Sequence, residues 1–442
     1  TEVILALYEK YKEQTADMLR GMFAFMIWDK ETETIYGARD HFGMKPLYFT
    51  EMTGDYYFSS ENKAVEGMMK DKKVNTDSLQ HYFTFQYVPG KNRLVEGVTG
   101  VEPGTYFTIS QDEGIRFTRY YKPTFKPVDM EEMALAKEIS DVLHDSVKAH
   151  MRADVTVGSF LSGGVDSSVI VALARQLSPN IKTFSVGFER EGFNEIEVAK
   201  ETAAKLDVEN ISRIITPQDF MNEFDDYVWY LDDPLADPAA VAQYFLAQVA
   251  REHCTVSLSG EGADELFGGY LIYHEPLSLA GFEKIPRGVN RLINTTAKHL
   301  PKNMKGRSFL LRGSTPLEER FVGNAKIYTE EEKKAFLKQF NPNQHYTDVT
   351  GPFYAQSQHL DPTTRMQDLD MHTWLVDDLL HNADRTTMAS SLELRAPFVD
   401  KKVFEVAAKI PTSLKFKNNT TKYMLRKAAE DFVPEHVLYR EK

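Results

Sequence analysis

Two short stretches of this chain combine residue types and spacings suited to phosphate chemistry. The first is Leu161-Ser162-Gly163-Gly164-Val165-Asp166-Ser167-Ser168. Its two glycines carry no Cβ, so their amides can come close to a ligand. A helix opening just after them would turn its free N–H groups toward an anion such as phosphate, and Asp166 offers a carboxylate that could hold magnesium beside it. The second stretch is Ser259-Gly260-Glu261-Gly262-Ala263-Asp264-Glu265, another glycine turn with acids at a helix start. Lys422, at the end of Asn418-Asn419-Thr420-Thr421-Lys422, carries no such signal by itself. Each also has a plainer explanation. The first suits any tight strand-to-helix turn, the acids of the second suit helix capping, and a loop lysine is ordinarily solvated. The first loop lacks the GxxxxGK(S/T) spacing of the common P-loop, so it is expected to grip phosphate differently.

These stretches need a scaffold that brings them together. Val155, Val157, Phe160 and Leu161 read as a buried strand, and Ser167–Leu177 reads as the helix that follows. Further strands are expected at 183–188, 210–215 and 255–258, with a helix at 195–206. This βα alternation predicts a doubly wound parallel sheet, with ligands at the carboxyl ends of its strands. Both glycine turns would then face one cleft, and Asp166 and Asp264 could bridge one Mg2+. An amphipathic helix is expected over 130–151, with Leu135, Ile139, Val142, Leu143, Ser146 and Val147 on one face. From about Tyr270 onward the chain reads as helices and loops.

The first 121 residues have a different texture. After one helix come short β-type runs at 22–28, 34–37, 46–49, 56–59, 105–110 and 116–121, separated by turns rich in Gly, Asp and Thr. They predict a hairpin-rich sheet sandwich. Pro123 and Pro127 mark a stiff connector. The expected division is therefore a first domain at 1–121, a linker at 122–129 and a second domain at 130–442.

With 442 residues there is room for two or three domains. A net charge of −13 argues against nonspecific binding to nucleic acid or anionic membrane. The single cysteine, Cys254, excludes an internal disulfide and fits a reducing cytoplasm. No apolar run reaches transmembrane length. The twelve histidines lack zinc-ligand spacing; His144 and His150, six apart, do not share a helix face.

The first loop resembles the pyrophosphatase-type loop of the adenine nucleotide alpha hydrolases, which split ATP between its α and β phosphates. Together, SFLSGGVDSS and SGEGADELFGGY are similar to the synthetase domain of glutamine-dependent asparagine synthetases. Further matches agree: Asp384-Arg385 through Glu393-Leu394-Arg395-Ala396-Pro397-Phe398-Val399-Asp400, with Val where the family has Leu, and Lys422-Tyr423-Met424-Leu425-Arg426. Upstream, GMFAFMIWD, Ala38–Tyr48 and Ser60-Glu61 resemble the second half of a class II glutaminase.

The resemblance implies an α/β and α+β protein: a truncated N-terminal-nucleophile-type glutaminase sandwich, then an adenine nucleotide alpha hydrolase-like synthetase domain. It implies ATP binding by Leu161, Ser162, Gly163, Gly164, Val165, Asp166, Ser167, Ser168, Val186, Gly187, Ser259 and Gly260, and Mg2+ held by Asp166 and Asp264. Glu261 and Lys422 are the expected catalytic groups, and Glu261, Asp384 and Glu393 the expected contacts to substrate. The implied partners are aspartate, ATP and ammonia. A homodimer is admitted, although the sequence fixes no oligomeric state. Asp232-Asp233-Pro234-Leu235-Ala236-Asp237-Pro238 is expected to shape the amino-acid site, with no ligand assigned.

Class II glutaminases also use an amino-terminal cysteine, an arginine and an Asn-Gly-Glu segment, which do not occur before TEVILALYEKY. Both ends of the chain read as cuts in a longer protein: Thr1 is no initiator methionine and helical periodicity begins at once, and Tyr439–Lys442 stops without a helix cap or polar tail. The chain as given is expected to use ammonia at most, and its first sheet to expose apolar edges. Cys254, in an apolar strand, is expected to be a buried structural thiol. The alternatives are a β-lactam-synthetase-like ligase or related amidotransferase acting on another acid, a GMP synthetase, and a non-enzymatic binding protein.

Overall fold

The computed structural model describes residues 2–189, 195–418 and 420–440. Thr1, Asn419, Glu441 and Lys442, quoted above, lie outside the described residues.

The first half folds as two facing antiparallel sheets. β1 (Ala24–Asp29), β2 (Thr34–Arg39), β6 (Thr105–Ser110) and β7 (Gly114–Arg119) form one in the order β1-β2-β6-β7. β3 (Tyr48–Met52), β4 (Asp55–Ser59) and β5 (Thr99–Gly100) form the other in the order β4-β3-β5. Alternating side chains drive the pairing. Phe107 is fully buried and stacks on Phe58 across the sandwich, ring centroids 5.0 Å apart. Gly37 makes room for it, because a Cβ there would lie 2.3 Å from Phe107 Cζ. The edge strand β1 leaves Met26 and Trp28 exposed.

The connector is not a free spacer. Lys126 N–H donates to the Ala408 carbonyl at 3.0 Å and Val128 N–H to that of Lys409 at 2.9 Å. Phe125 is buried within the apolar core of the second half. The prolines restrict the segment to an extended course, and its remaining amides and one aromatic ring fasten it down.

The second half is built on five parallel strands, β8 (Val157–Phe160), β9 (Lys182–Phe188), β10 (Glu209–Ile215), β11 (Val256–Leu258) and β12 (Glu393–Arg395), in the order β10-β9-β8-β11-β12. The chain runs outward from β8 to β10, then returns to place β11 on the other side of β8. That reversal opens a crevice beyond the carboxyl ends of β8 and β11, where doubly wound sheets bind ligands. The amphipathic helix Glu132–His150 buries Leu135, Ile139, Leu143, Ser146 and Val147, as its period predicts, with Val142 at the margin. Cys254 is buried, and its thiol donates to the Ala250 carbonyl. β12 lies in the region read from sequence as helices and loops; three residues are too few to show a period. No helix of the described residues is long and apolar enough to cross a membrane.

One buried acid gives the fold a testable pH dependence. Asp370 is fully buried and accepts hydrogen bonds from Tyr273 Oη and, at 2.8 Å, from Asn324 Nδ2. Burial pushes its carboxyl up to about 8. The folded state thus keeps a proton that the unfolded chain releases near its ordinary value of 3.8. Stability is fully present below that value and falls as pH rises toward about 8, by at most about 1.4 kcal/mol per pH unit for one proton. Asp370→Asn, which stays neutral, is expected to shrink the loss of urea midpoint between pH 6 and pH 8. An unchanged pH dependence in that variant would show the acid to be ionised in the fold.

Candidate functional site

The first loop follows β8 with little slack. Gly164 is the N-cap of the helix Val165–Leu177, which starts two residues earlier than expected and puts Asp166 in its first turn. Ser162 Oγ and Ser167 Oγ lie 3.0 Å apart, Ser162 N–H donates to Ser167 Oγ at 3.0 Å, and Gly164 N–H donates to Ser162 Oγ at 3.1 Å. Ser168 Oγ donates to the Gly164 carbonyl and Ser185 Oγ to that of Leu161. The serines thus fix the loop backbone while the helix dipole opens toward the cleft.

The second loop follows β11 beside it. Ser259 N–H donates to the Arg395 carbonyl at 2.9 Å, extending the sheet by one bond. Gly262 then takes a φ of 87°, a left-handed turn disfavoured for residues with a Cβ, and the short helix Ala263–Phe267 follows. Gly260 marks where the loops touch: a Cβ there would come within 2.9 Å of both Asp166 Cβ and Ser167 N.

Lys422 joins the two loops. It is fully buried in a left-handed conformation, with Nζ 2.6 Å from Asp166 Oδ2 and 2.8 Å from Asp264 Oδ1. Burial alone would push its pKa down, but the two carboxylates outweigh burial and raise it above the usual lysine range. Gly269 closes the back of this cluster, since a Cβ there would fall 1.8 Å from Asp264 Oδ1 and 2.0 Å from Lys422 Cε. Glu261, half-buried beside them, is pushed up to about 7 by burial first and the charge of Asp264 second. Gln243 Nε2 donates to its Oε1 at 3.3 Å.

The two loops border a cleft of about 550 Å3, and the buried Lys422 is not among its lining residues. Leu161, Ser162, Asp166, Ser167, Val186, Ser259, Gly260, Glu261 and Asp264 line it. Gly163 belongs to the same loop but is not among the lining residues; its N–H donates to Glu195 Oε2 at 3.4 Å and its carbonyl accepts from Arg440 Nη1 at 3.3 Å. Gly164 is the cap, Val165 and Ser168 pack inward, and Gly187 sits in the sheet opposite Ile214.

Two expected substrate contacts lie elsewhere. Glu393 starts β12 opposite Val256, at the end of the sheet away from the cleft, and pairs with Arg395 Nε at 2.7 Å. Asp384 pairs with Lys45 Nζ at 2.9 Å, where the two halves of the chain meet. In both cases a motif assembled along the sequence is split by the fold between different faces. The cleft also gathers residues the sequence reading did not single out, among them Gln243, Phe188 and Asn382. They come from a helix interior, a strand end and a helix start, none with a local pattern.

Among the described residues no group of three or more His, Cys, Asp or Glu side chains could hold a metal by itself. Asp166 and Asp264 still offer the right donors. Magnesium takes one or two carboxylates and completes its shell with phosphate oxygens and water, and the two acids here converge closely enough to share one ammonium group.

Comparison with known proteins fits this geometry. Residues 138–442 match the asparagine synthase family, and residues 1–121 match the glutamine amidotransferase domain. The chain is 55% identical over 442 residues to the glutamine-hydrolysing asparagine synthetase 1 of Bacillus subtilis (strain 168), covering all of this chain and 70% of that protein. It is 46% identical over 449 residues to a putative glutamine-hydrolysing asparagine synthetase of Mycobacterium tuberculosis (strain ATCC 25618 / H37Rv), covering 69% of that protein. A putative asparagine synthetase 2 of Methanocaldococcus jannaschii is 29% identical over 408 residues, which is 90% of this chain and 78% of that protein.

Proposed function

The chain belongs to the asparagine synthetase family of ATP-dependent carbon–nitrogen ligases, and from that premise we propose that its two-loop cleft adenylates L-aspartate and passes the activated acyl group to ammonia. A side-chain carboxylate oxygen of aspartate attacks the α-phosphorus of ATP, and the bond to pyrophosphate breaks. Ammonia then adds to the acyl carbon of the β-aspartyl-adenylate, and collapse of the tetrahedral intermediate yields asparagine and AMP.

The obstacle in the first step is the meeting of two anions. The observation that carries the proposal is the buried ammonium of Lys422 spanning Asp166 and Asp264. It supplies positive charge at the place where the two glycine loops touch, in surroundings where water cannot screen it. The loop amides and the helix start at Val165 cradle phosphate oxygens. Asp166 and Asp264 would hold Mg2+, which offsets charge on the leaving pyrophosphate. Ser259 and Gly260 wall the nucleotide site, and Val186 borders the adenine. Glu261, with a carboxyl held near 7, is suited to take a proton from attacking ammonia, because a base works best when its pKa lies near the operating pH. On this reading the division into an amidotransferase half at 1–121, a connector at 122–129 and a synthetase half at 130–442 is also functional.

The test supplies the full chain with ATP, Mg2+, ammonium and each of the twenty amino acids in turn, and measures pyrophosphate and AMP. Ammonium is given directly, so glutamine hydrolysis plays no part in the result. The expected outcome is release with aspartate alone, together with asparagine. Release only with a different carboxylic acid would replace aspartate as the substrate, and no release with any acid would remove the ligase assignment.

A further inference from the structure

The second-loop acid Asp264 sits on a helix of only five residues, Ala263–Phe267. So short a helix cannot hold its own shape, and its last carbonyls have no partners within it. The direction in which Asp264 points therefore depends on ties from outside. One such tie is a buried amide. Gln367, fully buried in the helix Pro362–His372, donates from Nε2 to the Glu265 carbonyl at 2.7 Å and lies 3.5 Å from that of Leu266.

Behind the amide stands a cation that the adenylation step does not use. Lys415 is fully buried at the end of the short helix Thr412–Lys415. Its Nζ donates to Gln367 Oε1 at 2.5 Å and to Thr364 Oγ1 at 3.2 Å, and lies 5.2 Å from the centre of the Phe125 ring. Its backbone presses on the end of the Asp264 helix. Gly268, which follows that helix with a φ of 75°, could carry a Cβ only 3.1 Å from Lys415 Cβ.

The chemistry of the two side chains gives this contact a direction. An ammonium group only donates hydrogen bonds, so Gln367 must turn its oxygen toward Lys415 and its NH2 toward the helix carbonyls. With no cation there, the amide could turn over and set its oxygen against them. Burial pushes Lys415 down to about 8, opposed by the charge of Asp361, so at pH 7 the group is still an ammonium. Asp361 reaches it through Thr364, whose hydroxyl donates to Asp361 Oδ2 at 2.6 Å. Taking an ammonium out of water destabilises a fold; what this one secures is a single orientation of one amide.

We propose that Lys415 is a positioning residue for the ligase reaction: by fixing the amide of Gln367, it holds the helix that carries Asp264 and so aims that carboxylate at the metal. The proposal rests on the reading of Asp264 as a metal ligand and extends it to two residues outside the cleft.

Mn2+, standing in for Mg2+, is titrated into the full chain at pH 7 with ATP and without aspartate, and its binding is followed by electron paramagnetic resonance. Pyrophosphate release then gives KM for aspartate. Lys415→Met and Gln367→Met keep the length of each side chain and cut the relay at different links. Each is expected to weaken Mn2+ binding about tenfold, the usual effect of losing a group that orients a metal ligand, while KM for aspartate moves less than about twofold. Lys333→Met is the control. Lys333 is also fully buried, with its Nζ 2.6 Å from Thr84 Oγ1, but it does not line the cleft. This variant should lose stability and keep its Mn2+ affinity. Wild-type Mn2+ affinity in either relay variant, a matching rise in KM for aspartate, or an equal loss in Lys333→Met would overturn the assignment. Wild-type chain that binds Mn2+ no better than Asp264→Asn would instead defeat the metal reading beneath it. Circular dichroism melts set the assay temperature below the transition of every variant, and if one relay variant does not fold, the other decides.

Discussion

Lys422→Ala is expected to lower pyrophosphate release by about two to three orders of magnitude, the usual cost of losing one preorganised charge at a developing anion. The size of the effect follows from where the ammonium sits. It is fully buried and lies within hydrogen-bond distance of two carboxylates from separate loops. Removing it leaves Asp166 and Asp264 facing each other across an apolar gap, and like charges so placed raise each other's pKa. The loops then lose both a cation for the phosphates and the tie that holds them together. The helices that carry these groups are packed by other residues, so the circular dichroism spectrum should persist. Lys422→Arg is not expected to rescue activity, because the planar guanidinium needs more width than the space beside Gly269 allows. Wild-type turnover in either variant would show that the ammonium is structural.

Gly269→Ala is the second large expected effect, and it removes no charged group. A methyl at this position would lie 1.8 Å from Asp264 Oδ1 and 2.0 Å from Lys422 Cε. Neither distance can persist, so the acid or the lysine must move. A displacement of about 1 Å at reacting groups can cost on the order of a hundredfold in rate, and overpacking of this kind costs about 1–3 kcal/mol in stability. Gly281→Ala is a suitable control, since beyond its chain neighbours and its own helix backbone nothing lies within 4 Å of its added methyl. Pyrophosphate assays on both variants should separate them sharply. Equal activity would show that the cluster relaxes without consequence.

These two residues also show what could be read from the chain before its fold was known. The glycine loops were legible because each sits between an apolar strand and a helix, and such turns have strong local chemistry. The parallel sheet followed from the same alternation, and the helix at Glu132–His150 followed from its period. The burial of Lys422 was not legible. It depends on a residue 256 positions from Asp166 closing over the strand ends, and its neighbours Thr420 and Thr421 look like an ordinary polar loop. The placement of Asp384 and Glu393 away from the cleft was not legible for the opposite reason. Their motif was plain, but adjacency along a chain says nothing about which end of a parallel strand a residue occupies.

The seating of Phe125 bears on how such proteins can be taken apart. Its ring is built into the interior of the half that follows it, and the backbone around it completes hydrogen bonds at Ala408 and Lys409. A boundary drawn at the first helix after the prolines would leave an unfilled hole in one fragment and a sticky tail on the other. Recombination between relatives at that junction should therefore succeed only when the aromatic plug travels with its socket, which makes the two halves less interchangeable than their separate architectures suggest.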